Sequence, residues 1–200
     1  MYKLDKIGYL WRVVKGDPGE LLRVARIAWT TAKFRYLKRC VGAGSVIGGG
    51  TQIINSGNVR IGKKVLLQDA VYIRAGTDGR VVIGDRAAIN SFCRFFGHGG
   101  IEIGEDTQIG PGSLITTTTH DFSRELETSF EKVVIGRRVW IGANVTILPG
   151  VEIGDFCVIG AGSVVNRSIP AGSLAVGVPA RVVRQVEPPA SSAARVPRTS

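Results

Sequence analysis

The chain has 200 residues and is 44% hydrophobic, which is enough to bury a core in one main domain without disulfides or metals. Its formal net charge is +10, and seven of these charges arise within residues 1–40, so the remainder is nearly balanced. This distribution excludes a polybasic nucleic-acid surface beyond residue 40. The sequence holds no signal-peptide core and no run of about 18 apolar residues, which predicts a cytoplasmic protein.

Three cysteines and two histidines limit the metal and redox chemistry. Cys40, Cys93 and Cys157 lie far apart and match no zinc spacing, so we expect free, buried thiols. Two histidines are too few for a zinc site that needs three. The sequence therefore predicts no metal.

The first element in chain order is a basic amphipathic helix between Asp17 and Lys38, within a helical extension over residues 1–40. Two roles stay open for it. It caps the open end of the next element, or it holds the protein peripherally at an anionic membrane face together with Trp11. The apolar residues at helical spacing are Leu21, Leu22, Ala25, Ala28 and Trp29.

From residue 41 an apolar residue recurs every six positions, in sets separated by short slips and one longer interruption, and is commonly followed by glycine. This period fits neither an α-helix nor one alternating strand, and a β-sandwich would show longer and less regular spacing. It predicts an all-β, parallel β-helix with three hexapeptides to a triangular coil and about six coils. The predicted inward residues are Val41, Ile47, Ile53, Ile61, Leu67, Ile73, Ile83, Ile89, Phe95, Ile103, Ile109, Ile115, Ile135, Ile141, Ile147, Ile153, Ile159 and Val165.

The repeat sets the predicted organisation of the remaining chain. We expect the β-helix over residues 41–170, with an excursion loop over 121–134 where the six-residue register breaks. A cap segment with a short helix is expected over 171–185, and a flexible Pro/Ser/Ala-rich tail over 186–200.

The stretch VWIGANVTILPGVEIGDFCVIGAGSVVNRSIPAGSLAVGVPARVVR resembles sugar and antibiotic O-acetyltransferases of the hexapeptide acyltransferase superfamily, and the match covers about residues 41–184. The resemblance implies a left-handed coil, a homotrimer and active sites at the clefts between subunits. It also implies acetyl-CoA as the donor.

His120, in ITTTTHDF, comes just before the longest break in the repeat. The matching histidine in the family removes the proton from the acceptor hydroxyl, so the resemblance implies a general base. An imidazole suits this role because its pKa near 6.5 keeps a large neutral fraction at neutral pH. The alternative is a histidine that only satisfies a hydrogen bond in a loop.

Two further residues are candidates for holding the acceptor. Asn90 resembles an acceptor-binding asparagine of the galactoside acetyltransferases, or it ladders with equivalent positions in adjacent coils. Asp121 either orients the imidazole or polarises the acceptor. His98, in FFGHGG, lines the same cleft or occupies a solvated glycine turn, and we favour the turn.

The resemblance also assigns the donor site. It places the pantetheine arm along the later coils beside Trp140, with backbone amides near Gly142, Ala143, Gly160 and Ala161 bonding it. Arg181 and Arg184, three residues apart in GVPARVVR, face the CoA phosphates, or they are ordinary arginines of a solvated cap helix. Asn166 and Arg167 lie nearby by analogy.

The predicted function is transfer of an acetyl group from acetyl-CoA to a hydroxyl of a sugar, a polysaccharide or a related small molecule. N-acetylation of an amino-sugar nucleotide is the alternative enzymatic function. A trimeric scaffold without catalysis is the non-enzymatic one.

Overall fold

The computed structural model describes residues 18–37, 39–121 and 127–186. Trp11 and the rest of residues 1–17, most of the predicted excursion loop, and the predicted tail beyond residue 186 lie outside this part. No helix within the described ranges is long and apolar enough to cross a membrane.

An α-helix, α1, spans Pro18–Ala32 and continues as a π-helical turn over Lys33–Leu37. It lies against the first coil of the solenoid. The Thr31 hydroxyl accepts a bond of 2.9 Å from the backbone N–H of Ile47, and the Arg35 guanidinium donates to the carbonyls of Gly42 and Ser45 at 3.3 and 2.8 Å. Phe34, in the π-helical turn, is buried. The helix therefore covers the first coil, as the cap role predicts.

Three parallel sheets form the sides of the solenoid, and each coil passes from sheet A to sheet B to sheet C. This architecture confirms the predicted fold class. Sheet A contains β3 (Val59–Ile61), β6 (Val81–Ile83), β9 (Ile101–Ile103), β14 (Val133–Ile135) and β17 (Glu152–Ile153). Sheet B contains β1 (Val46–Ile47), β4 (Leu66–Leu67), β7 (Ala88–Ile89), β10 (Gln108–Ile109), β15 (Trp140–Ile141), β18 (Val158–Ile159), β20 (Ser173–Gly177) and β21 (Ala180–Gln185). Sheet C contains β2 (Gln52–Ile54), β5 (Tyr72–Ala75), β8 (Arg94–Gly97), β11 (Leu114–Thr116), β16 (Thr146–Ile147) and β19 (Val164–Val165).

The core runs along the axis of the prism and is built from the six-residue repeat. All the predicted inward residues are buried, and most of them are fully inaccessible to water. The six-residue period explains this burial, because one hexapeptide forms one side of the triangle. The next apolar side chain then points inward at the equivalent position on the following side. Burying each such side chain contributes about 1.5–3 kcal/mol. Cys40, Cys93 and Cys157 are buried thiols that form no disulfide among the described residues, and burial raises the pKa of the Cys93 thiol to about 11.

The corners bring the backbones of successive coils into direct contact. The N–H of Gly104 donates to the carbonyl of Ile135 at 2.8 Å, and the N–H of Gly142 donates to the carbonyl of Ile159 at 2.8 Å. A Cβ atom at Gly104 would lie 2.5 Å from the backbone nitrogen of Arg137 in the next coil. The close approach of the two coils therefore requires glycine at position 104.

The carboxyl end of the described chain forms a hairpin, so the predicted short C-terminal helix is wrong. β20 and β21 pair antiparallel around a turn that contains Gly177 and a cis Val178–Pro179 peptide bond. The reason is that residues 180–185 continue the pairing at the exposed edge of sheet B, where β20 already lies beside β18. These backbone hydrogen bonds are available to a strand and not to an isolated helix of this length.

The break in the repeat also forms a hairpin, which starts earlier than the predicted loop. β12 (Thr118–Asp121) pairs antiparallel with β13 (Glu127–Phe130), and the coil resumes at Val133 in β14. The last residue that stays in the fourth coil is Thr117, which is fully buried and accepts the N–H of Glu131 on its carbonyl at 2.8 Å. His120 consequently lies on the hairpin rather than at the end of a coil.

Gly104→Ala is expected to lower the free energy of unfolding by about 2–4 kcal/mol, because the added methyl group must separate the backbones of two coils. Gly57→Ala is the matched control, since a Cβ at Gly57 would meet no atom within 4 Å. Urea denaturation of both variants measures the difference. Equal stability of the two variants would contradict the role given to the corner glycines.

Candidate active site

The predicted site residues lie in two regions of one chain. One region comprises sheet B and the corner between sheets B and C, here the B–C corner, and the other is the corner between sheets C and A, here the C–A corner. Adjacent corners are separated by one side of the triangle, roughly 15–20 Å for a hexapeptide of extended chain. The first region carries Asn90, Trp140, Gly142, Ala143, Gly160, Ala161, Arg181 and Arg184, and the second carries His120, Asp121, Asn166 and Arg167.

His120 stands exposed on β12, in the hairpin that leaves the C–A corner. Its cross-strand partner is Thr128, and the Thr128 Oγ1 lies 3.3 Å from the His120 Nδ1. In the tautomer that carries a proton on Nδ1, this nitrogen donates to the threonine oxygen and leaves Nε2 free to accept a proton. Sequence reasoning missed Thr128, because a contact across eight residues depends on the antiparallel register of the hairpin.

His98 packs against the base of the same hairpin. Its ring stacks on Phe130 with centroids 5.8 Å apart, and its Nδ1 lies 3.5 Å from the Thr118 Oγ1. Thr118 and Phe130 are themselves a cross-strand pair. The half-buried histidine is thus a hairpin contact, which differs from the solvated glycine turn that the sequence favoured.

Asn90 follows β7 at the B–C corner, and its amide bridges two coils. The Nδ2 atom donates to the carbonyl of Ile109 in the next coil at 2.8 Å. This is the ladder contact that the sequence left as one alternative. The amide oxygen has no hydrogen-bond donor among the described residues, so it is free to accept a bond from a ligand hydroxyl.

Trp140 begins a row of residues on the outer face of sheet B, and 60% of its surface is exposed. Val158 pairs with Trp140, Leu174 pairs with Val158, and Arg184 pairs with Leu174. Directly paired residues share a face, so the indole and the guanidinium stand on one surface, three strand spacings or roughly 14 Å apart.

A β-bulge places Arg181 on the same face as Arg184. Residues three apart on a regular strand point to opposite faces, yet Arg181 pairs with Val176 and Arg184 with Leu174, both on the outer face of β20. The register shifts by one residue between these pairs, and Val183 is the extra residue. Both arginines are exposed. They therefore form one positive surface at the end of the row that Trp140 begins.

At several corners, the backbone N–H group two residues after the inward apolar residue donates to a carboxylate of the following coil. Asp69 accepts the N–H of Gly49, Asp85 that of Lys63, and Asp155 that of Arg137. This pattern of aspartates in the repeat is visible in the sequence, although its meaning depends on the stacking of the coils.

No such carboxylate follows Ala143 or Ala161 at the B–C corner, and within the described ranges their N–H groups have no acceptor. The N–H groups of Gly142 and Gly160 are engaged with the carbonyls of Ile159 and Ala175. Of the four predicted amide donors, only Ala143 and Ala161 therefore have an open N–H group. Those of Gly142 and Gly160 are used in the hydrogen bonds between coils, which corrects the prediction for these two residues.

Asn166 and Arg167 are exposed at the C–A corner, two coils after Thr117. The backbone of Asp121 pairs with Glu127 in the hairpin, and its side chain lies outside the described part. Where the structure is described, no three His, Cys, Asp or Glu side chains converge as metal ligands.

A family profile described as bacterial transferase hexapeptide (six repeats) matches residues 132–167, the last two full coils. The galactoside O-acetyltransferase of Escherichia coli strain K12 is 35% identical over 130 residues, which cover 63% of this chain and 63% of that protein. The putative lipopolysaccharide biosynthesis O-acetyl transferase WbbJ of the same strain is 35% identical over 150 residues, covering 66% of this chain and 74% of WbbJ.

Among solved structures, the chain is similar to AntD, an N-acyltransferase from Bacillus cereus in complex with dTDP-4-amino-4,6-dideoxyglucose and coenzyme A. The TM-score is 0.70 at 26% identity, over 77% of this chain and 87% of that one.

Proposed function

We propose that this chain, which belongs to the family of bacterial hexapeptide-repeat transferases, moves an acetyl group from acetyl-CoA to a hydroxyl of a sugar, a polysaccharide or a related small molecule. The observation that carries the proposal is His120, exposed on a hairpin with its Nδ1 turned to Thr128. Two relatives, each 35% identical, are named as a galactoside O-acetyltransferase and a putative O-acetyl transferase, which supports an acetyl group and an oxygen acceptor.

In the proposed reaction His120 acts as a general base through Nε2. The acceptor hydroxyl gives its proton to Nε2 while its oxygen attacks the thioester carbonyl carbon. The tetrahedral intermediate then collapses, the carbon–sulfur bond breaks, and the CoA thiolate takes the proton from the imidazolium. Thr128 orients the ring by accepting from Nδ1–H, and a positioned general base of this kind contributes about 10²- to 10⁴-fold in rate.

The donor site proposed for acetyl-CoA follows sheet B and the B–C corner. The free N–H groups of Ala143 and Ala161 donate to carbonyls of the pantetheine arm or to the thioester oxyanion. Trp140 flanks the arm, and Gly142 and Gly160 have no side chain that would obstruct it. Arg181 and Arg184 bind the phosphates of CoA. Asn166 and Arg167 lie at the other corner, so they belong to this donor site only if a second subunit supplies them.

A homotrimer is part of the proposal because the proposed residues lie at different corners of one chain. A heterologous interface of threefold symmetry brings the C–A corner of one subunit beside the B–C corner of the next. Asn90, with its free amide oxygen, then holds an acceptor whose hydroxyl reaches His120 of the neighbour, and Asp121 is a second proposed acceptor contact. The proposed location is the cytoplasm, with peripheral contact at the inner membrane face through residues 1–40.

N-acetylation of an amino-sugar nucleotide is the second candidate function, favoured by the likeness to AntD, whose structure holds an amino-sugar nucleotide and coenzyme A. The same base and donor site serve an amine, which must also lose a proton. A panel of sugars, polysaccharides and amino-sugar nucleotides, tested with acetyl-CoA and succinyl-CoA, separates these functions. Transfer to the amine alone would replace the O-acetyl proposal.

His120→Ala is expected to lower kcat for acetyl transfer by at least about 100-fold and to leave CoA affinity unchanged, since only the base is removed. Thiol release from acetyl-CoA with an identified acceptor measures the first effect, and calorimetry measures the second. Ser129→Ala, on the same hairpin one residue from Thr128, is the control and should keep full activity. An active His120→Ala enzyme would refute the proposed base.

The Arg181→Gln/Arg184→Gln double variant is expected to weaken CoA binding by about 10- to 100-fold, because two charge-assisted phosphate contacts are lost. The loss should shrink at high salt, where the wild-type affinity itself falls. Calorimetric titration with CoA gives both values. Arg60→Gln, an exposed arginine on the outer face of sheet A, is the control. Unchanged binding in the double variant would overturn the assignment.

Asn90→Ala is expected to lower acetyl transfer strongly through loss of the proposed acceptor contact, and mixing it with His120→Ala after joint unfolding and refolding is expected to restore part of the activity. In a random trimer about one cleft in four then combines an intact histidine with an intact asparagine from its neighbour. Thiol release by the mixture, compared with each variant refolded alone, measures the recovery. A mixture that stays as inactive as its parents would place both residues in one subunit's site and overturn the shared cleft.

A further inference from the structure

Helix α1 carries apolar side chains on two faces, although only one face packs on the solenoid. Val24 and Ile27 are half-buried on the side of the first coil, together with the bonded Thr31. Leu22 and Trp29, seven residues apart and therefore on one face, are each 71% exposed, and Tyr36 beyond the helix end is 72% exposed. A surface helix that needed only to cap the coil would be polar on its outer side.

A groove of about 390 Å³ runs beside this outer face, between α1 and the B–C corner of the first two coils. Leu22, Arg23 and Arg26 line it from the helix, and Gly49, Gly50 and Asp69 line it from the corner. The Arg23 guanidinium is 3.3 Å from the Asp69 carboxylate, so one arginine is partly neutralised. The Arg26 guanidinium forms no ion pair among the described residues and lies over Gly49.

The positive charge of this part of the chain indicates which partner the surface binds. Residues 1–40 carry seven of the net ten positive charges, and Lys33 is exposed after the end of α1. A second copy would bring the same excess of positive charge against itself, whereas an anionic lipid surface offers phosphates to Arg26 and Lys33 and hydrocarbon to Leu22 and Trp29. Tryptophan and tyrosine also favour the headgroup level of a bilayer.

We propose that Leu22, Trp29 and Tyr36, with Arg26 and Lys33 around them, form a docking surface for an anionic bilayer, named here the lipid-binding face. Leu22 and Trp29 insert among the acyl chains near the headgroups, and Arg26 binds a lipid phosphate at the groove. The helix lies in the plane of the interface and stays attached to the solenoid through Thr31 and Arg35. This inference develops the peripheral contact included in the proposed function, and it does not require acetyl transfer.

The test uses the full chain and two kinds of vesicle, phosphatidylcholine alone and phosphatidylcholine mixed with phosphatidylglycerol. Wild-type protein is expected to sediment with the anionic vesicles, to lose this binding as salt rises, and to leave the neutral vesicles largely unbound. Leu22→Gln/Trp29→Gln should lower the fraction bound at least tenfold, and Arg26→Gln should lower it several-fold. Val178→Gln, which changes a side chain 72% exposed at the other end of the solenoid, is the control and should bind as wild type.

Tryptophan fluorescence reports the contact directly. The chain has three tryptophans, so Trp11→Phe/Trp140→Phe leaves Trp29 as the sole indole. Its emission should shift to the blue on adding anionic vesicles. Absence of vesicle binding at low salt overturns the proposal, and so does binding without a shift. Emission that is already blue without vesicles also overturns it, because a second copy or residues 1–17 would then cover the face.

Two further measurements separate this proposal from the proposed enzyme activity. His120→Ala is expected to bind anionic vesicles as tightly as wild type, and Leu22→Gln/Trp29→Gln is expected to keep thiol release with a soluble acceptor. Vesicle binding without transfer activity would sustain the lipid-binding face alone. Activity without vesicle binding would sustain the enzyme alone.

Discussion

The backbone hydrogen bonds between successive coils are the constraint on which the structure depends. At each corner an N–H group donates directly to a carbonyl of the neighbouring coil, at 2.8 Å for Gly104 and for Gly142. Contact this close leaves no room for a Cβ at these positions and fixes the register of three sheets at once. Short insertions form turns at the C–A corner, as at residues 56–58, and the longest insertion leaves the prism as a hairpin that carries His120.

The proposed donor site lies where this ladder is incomplete. Aspartates of the following coil satisfy the corner amides of Gly49, Lys63 and Arg137, and the same amides of Ala143 and Ala161 remain open because no aspartate follows them. In the proposed donor site, a carbonyl of bound CoA takes the place that a carboxylate of the next coil takes elsewhere.

The sequence predicted the parts of the fold that depend on periodicity alone. The eighteen predicted inward residues from Val41 to Val165 are all buried, because one hexapeptide spans one side of the triangle. The contacts that periodicity does not encode were missed. Thr128 reaches His120 through a hairpin register, and the spacing of Arg181 and Arg184 suited a helix whereas a bulge at Val183 gives the same common face on a strand. Likewise, the pattern of α1 did not reveal which of its two apolar faces packs on the coil.

The two ends of the prism differ from its middle, since α1 covers the first coil and the antiparallel strand β21 follows the last strand of sheet B. Stacked parallel strands are a template on which an identical solenoid would continue the ladder and build a fibre. The helix blocks this growth at one end, and at the other the reversed direction of β21 no longer matches the parallel register. The sides of the prism are then left for the lateral contact that the proposed trimer requires.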